Sequence, residues 1–98
     1  MAPPIAAPIR YGRVFGTVYD YNAGDVLEIH THEVSNNHIT IVTNGMLRVI
    51  GPNHHEGKVL SPGQVIAWEA NVPHGLEAVT DARMINLLTH DKEVSGNV

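Results

Sequence analysis

A chain of 98 residues holds one compact domain, because a second hydrophobic core would not fit. Hydrophobic residues at 43% and charged residues at 16% support a packed core and exclude a disordered chain, while a net charge of -4 with six scattered Lys and Arg offers no basic patch for nucleic acid. No apolar run approaches the ~20 residues that span a bilayer, and the start lacks a secretory pattern, so a soluble, cytoplasmic protein without a membrane partner is expected.

Residues 1–11 carry three prolines, which remove amide donors and favour extended backbone, so this stretch reads as an arm lying along the body or across a partner subunit. From Gly12 to His90, short runs rich in Val, Ile, Thr and Tyr alternate with Gly, Pro, Asn and Asp clusters, the pattern of successive β-strands. The expected strands are Arg13 to Tyr21, Val26 to His32, His38 to Thr43, Met46 to Ile50, Gly57 to Leu60, Val65 to Trp68, His74 to Val79 and Arg83 to Thr89. Asn44-Gly45 suits a two-residue hairpin, and Asn22-Ala-Gly24 and Ser61-Pro-Gly63 close other turns. The implied architecture is an all-β sandwich or barrel over 12–90 with a polar tail at 91–98.

With no cysteine, any metal must take nitrogen or oxygen ligands, and seven histidines stand out in so short a chain. His30 and His32 are two apart on one strand and point to the same face. His38 opens the next strand, where a hairpin would set it opposite that pair, and His74 follows Pro73 on a strand expected to close the barrel from the other side. Such a set suits one divalent transition metal among Fe, Mn, Ni, Co, Cu and Zn. Glu33 or Glu28 is the alternative to His38. His54, His55 and His90 sit in loop or tail positions where solvation is the expectation. Arg48 and Asn86 are polar residues within apolar strands, able to face the interior and orient a substrate.

These motifs resemble the cupin superfamily. Gly24, five residues, His30-Thr-His32, then His38 six residues before Gly45 follow the family's first motif, and Ser61-Pro-Gly63 through Trp68 to Val72-Pro-His74 follows the second. The chain departs where His38 replaces a glutamate after a longer gap, where Glu69 and Asn71 replace a proline and a glycine, and where Ala78 stands in the place of a frequent asparagine. The resemblance implies a single-domain antiparallel jelly-roll barrel with a metal at His30, His32, His38 and His74. It also implies a small oxygen-rich metabolite as ligand or substrate and a homodimer paired through exposed sheet edges. The leading expectation is a metal-dependent dioxygenase, isomerase or lyase, with Tyr19, Glu28 or Arg48 for proton transfer or orientation. The alternatives are a non-catalytic binding or sensing module whose metal anchors the ligand, and a plain assembly unit.

Overall fold

The computed structural model describes residues 2–31, 37–69 and 71–89. Among the described residues nine strands follow one another: β1 (Ile5–Tyr11), β2 (Val14–Tyr21), β3 (Val26–His30), β4 (Asn37–Asn44), β5 (Leu47–Ile50), β6 (Val59–Leu60), β7 (Val65–Trp68), β8 (His74–Ala78) and β9 (Ala82–Thr89). They form a five-stranded sheet ordered β1-β2-β9-β4-β7 and a four-stranded sheet ordered β3-β8-β5-β6, with every pairing antiparallel. Among the described residues there is no helix, and none that could cross a membrane.

Alternation along each strand sends one set of side chains inward. Val42, Leu47, Val49, Leu60, Leu76 and Met84 are fully buried between the sheets, with Tyr21, Ile66 and Trp68 completing the core. The proline-rich segment does lie along the body. Ile5 to Tyr11 pairs in register with β2, from Ile5 beside Asp20 to Tyr11 beside Val14, so this part of the arm is an edge strand. Ala2 reaches the other sheet, where its carbonyl accepts the Val26 amide at 3.0 Å.

Asn44-Gly45 does not close a hairpin. β4 pairs with β7 and β9, and β5 with β6 and β8, so this dipeptide is a corner where the chain changes sheets. Gly45 takes φ +71, and a Cβ there would run into the Asp81 carbonyl, so only glycine fits the corner. Asn71 has φ +62. Asparagine tolerates that left-handed region better than other non-glycine residues, which explains its standing in for the family's glycine.

Candidate metal centre

β3 reaches the centre through a bulge. Leu27 pairs with Leu76 and His30 with His74, so two residues, Glu28 and Ile29, oppose Gly75 alone. The extra residue shifts the inward parity from Leu27 to His30. Gly75 permits this, since a Cβ on it would come within 2.6 Å of the Leu27 carbonyl and 3.1 Å of the Ile29 amide.

His30 and His74 are therefore neighbours on adjacent strands, with ring centroids 4.7 Å apart. His38 comes from the facing sheet, is 4% exposed, and lies 5.0 Å from the His74 ring. The expected geometry is thus exchanged between two residues. His74 sits beside His30, and His38 closes the set from across the sandwich, because β3 and β4 belong to different sheets and form no hairpin. His32 and Glu33 lie outside the described residues, as does His90.

The two neighbouring rings are held in the same way. His30 Nδ1 donates to the Glu28 carbonyl at 2.7 Å, and His74 Nδ1 donates to the Val72 carbonyl at 2.9 Å. A carbonyl only accepts, so each neutral ring carries its proton on Nδ1 and its lone pair on Nε2, the tautomer a metal ligand needs. Two imidazoles sharing one ion through nitrogens at ~2.1 Å have centroids roughly 4.5–5.3 Å apart for right-angled to tetrahedral arrangements. Both measured spacings fall in that interval. Among the described residues no group of three or more His, Cys, Asp or Glu side chains is arranged to hold a metal ion, so the fit rests on donor chemistry and ring spacing.

The packing behind the histidines carries more than the sequence signalled. The Trp68 indole stacks on His74 at 4.4 Å and 10°. Its Nε1 donates to Thr40 Oγ1 at 2.8 Å, and that hydroxyl donates to Asn86 Oδ1 at 2.5 Å. Asn86 faces the interior, as its place in an apolar strand suggested, and anchors this buried chain. His55 meets the far side of the arrangement, its ring edge-on to Trp68 at 5.7 Å, while Asn53 Nδ2 ties the same loop to the Pro73 carbonyl at 2.9 Å. Partial burial, then the His54 and Lys58 charges, lowers the His55 pKa from its ordinary value. Nothing in the local sequence marks this loop as a cover for Trp68.

A cavity of about 670 Å³ opens beside His30, lined by Pro3, Tyr19 and the length of β3 from Val26 to His30. Tyr19 and Glu28 thus share a cavity with His30. Arg48 does not: it is exposed, turned outward, and paired with Glu77 at 3.0 Å, so its expected interior placement is corrected. Its neighbours along β5 explain this, since Leu47 and Val49 on either side take the inward positions. A second hollow at the other end of β4, lined in part by Asp20, Asp81 and Arg83, has no histidine among its described lining residues, and Arg83 binds Asp20 there at 2.6 Å.

A family model described as a cupin domain matches residues 17–89. Similar solved structures include an RmlC-like cupin from Desulfovibrio desulfuricans, 19% identical with a TM-score of 0.79, covering 89% of this chain and 82% of that one. A Thermus thermophilus protein, TT1209, is 23% identical with a TM-score of 0.75 over 90% and 84% of the two chains. KdgF from a Halomonas species is 24% identical with a TM-score of 0.73 over 86% and 76%. At these identities the structures establish the fold. No curated protein matches the sequence.

Proposed function

Since the chain belongs to the cupin domain family, we propose that it is a cytoplasmic metal-dependent enzyme that holds one divalent transition metal ion at His30, His38 and His74. His32 is the further ligand assigned by the sequence motif. The substrate is a small oxygen-rich metabolite, anionic or sugar-like, entering by the cavity beside His30. The observation that carries this reading is the meeting of three imidazoles from two sheets at ring spacings of 4.7 and 5.0 Å.

Once bound, the ion would supply Lewis-acid or, if redox-active, dioxygen chemistry. An all-imidazole set leaves its positive charge uncompensated, which favours hydroxy, keto or carboxylate ligands. The described residues lining the cavity include no Lys or Arg, so an anionic group on the substrate has no other cation to meet there. The protein's own contribution is positional. The Glu28 and Val72 carbonyls hold two rings in one tautomer, and Trp68 covers one face of His74 against water. Tyr19 and Glu28 line the approach and are the groups placed to orient the substrate or move its proton. Pro3, Val26, Leu27 and Ile29 give it an apolar flank.

The test is elemental analysis by mass spectrometry of tag-free protein beside a His30→Ala/His74→Ala variant, followed by turnover assays on hydroxy acids, keto acids and sugars with and without dioxygen. About one equivalent of a single transition metal, lost in the variant, together with turnover, is the expected result. Binding without turnover replaces the enzyme by a ligand-binding module. Failure to retain any transition metal after loading overturns the proposal.

A further inference from the structure

The segment from Ala2 to Ile5 crosses from one sheet to the other. At one end the Ala2 carbonyl accepts the Val26 amide of β3 at 3.0 Å, and at the other Ile5 pairs beside Asp20 of β2. β1 and β3 are edge strands of different sheets, so this crossing bridges the gap between the two edges. Three residue steps at the ~3.1 Å rise of polyproline backbone give about 9 Å, close to the ~10 Å that separates packed sheets. Pro3 and Pro4 fix their own φ and push the residues before them into extended backbone, so the bridge is a stiff strap. Pro4 is buried and pins it, while Pro3 is exposed.

Pro3 lines the cavity beside His30, together with Tyr19 from one sheet and Val26 to His30 from the other. The lining is chemically uneven. Pro3, Val26, Leu27 and Ile29 are apolar, and Ile29 is 49% exposed despite its size. Such walls hold an apolar group in preference to water. Glu28 is the one carboxylate among the described lining residues, and no Lys or Arg among them offsets it, so a second anionic group on a ligand would be repelled. A sugar would set hydroxyls against the apolar walls without hydrogen-bond partners.

We infer that Pro3, held by this strap, forms with Val26, Leu27 and Ile29 a subsite for an uncharged apolar side group. The cavity thereby selects hydroxy or keto acids that carry such a group over dicarboxylates and sugars. This selection rests on the metal reading only for the seat of the acid's oxygens near His30; the subsite is built from the chain's own walls.

Calorimetry on the metal-loaded full chain tests it with lactate, α-hydroxyisocaproate, malate and gluconate. α-Hydroxyisocaproate should bind at least ~10-fold tighter than lactate, because its larger side group is taken out of water. Malate and gluconate should bind no tighter than lactate. Pro3→Gly removes the wall and loosens the strap without touching the buried core, and should cut the preference for the branched acid at least ~3-fold. Pro3→Lys should tighten malate at least ~3-fold, a gain that a segment with a structural role alone does not produce. Equal affinities for lactate and α-hydroxyisocaproate, tighter binding of malate or gluconate, or a preference unmoved by Pro3→Gly overturns the inference. Isocaproate, which has the side group and no hydroxyl, separates this from the metal reading: if it binds as tightly as α-hydroxyisocaproate, the metal reading fails and the subsite stands. Should the chain retain no metal, methyl NMR with neutral isocaproamide decides. Shifts at Val26, Leu27 and Ile29 that weaken in Pro3→Gly support the subsite, and their absence overturns it.

Discussion

The Trp68 indole lies nearly parallel to the His74 imidazole, 4.4 Å away and with 10° between the ring planes, its own Nε1 fixed by Thr40. His74 is thereby clamped from two directions, by a flat face and by the Val72 carbonyl at Nδ1. An aromatic stack of this kind contributes about 0.5–1.5 kcal/mol. Trp68→Leu should therefore weaken metal affinity by roughly tenfold, and Trp68→Phe should restore much of it. Competition titration against a coloured chelator measures both. Trp68 is the chain's single tryptophan, so its fluorescence should be quenched on addition of Cu²⁺ or Co²⁺ and recover with chelator; emission indifferent to metal would contradict ligation at His74.

Thr40 joins two partners that have few alternatives. Thr40→Val keeps the shape but removes the acceptor for Trp68 Nε1 and the donor to Asn86 Oδ1, both within the core. Two stranded buried polar groups should cost about 2–4 kcal/mol, read from urea denaturation. In Thr40→Val/Asn86→Leu the loss should be less than the sum of the single variants, since the second change removes one stranded group.

Gly75 is the floor beneath the β3 bulge. Gly75→Ala places a methyl against the Leu27 carbonyl, the Ile29 amide and Ile50 Cγ1, at 2.6, 3.1 and 3.1 Å. Two of these are backbone atoms that yield only if the bulge moves. A stability loss of about 1–3 kcal/mol is expected, with a fall in metal affinity because His30 rides on that bulge. Calorimetry of metal binding distinguishes the two effects; unchanged affinity in a folded variant would show that the bulge does not position His30.

Tyr21 buries its hydroxyl with no hydrogen-bond partner among the described residues. Burial, and then the neighbouring Tyr19, pushes its pKa well above the ordinary tyrosine value. The raised pKa favours the protonated form in the fold, so the stability is fully present below the unfolded pKa of ~10 and falls as pH rises above it. Tyr21→Phe should make melting temperature less sensitive to pH above ~10. At neutral pH it should be neutral or stabilising by up to about 1–2 kcal/mol, since it removes an unsatisfied polar atom without leaving a void. A clear loss of thermal stability at neutral pH would contradict this account.

Much of this molecule follows from local pattern. Alternating apolar residues and the Gly, Pro and Asn breaks place all eight strands between Val14 and Thr89 close to where they lie, because period-two burial is written directly into side-chain chemistry. His30, His38 and His74 stand out in the sequence by type, spacing and family resemblance. Their arrangement was not legible. Whether Asn44-Gly45 folds the chain back on itself or hands it to the other sheet depends on the Asp81 carbonyl beside Gly45, a contact from 36 residues away. The bulge opposite Gly75, the placement of His74 beside His30, and the approach of His38 from the facing sheet depend likewise on which strands become neighbours. Arg48 and Asn86 look alike as polar residues in apolar strands, yet one meets Glu77 on the surface and the other Thr40 in the core. Local sequence sets which residues alternate; only the pairing of distant strands decides which side of each alternation becomes the interior, and with it where the chemistry sits.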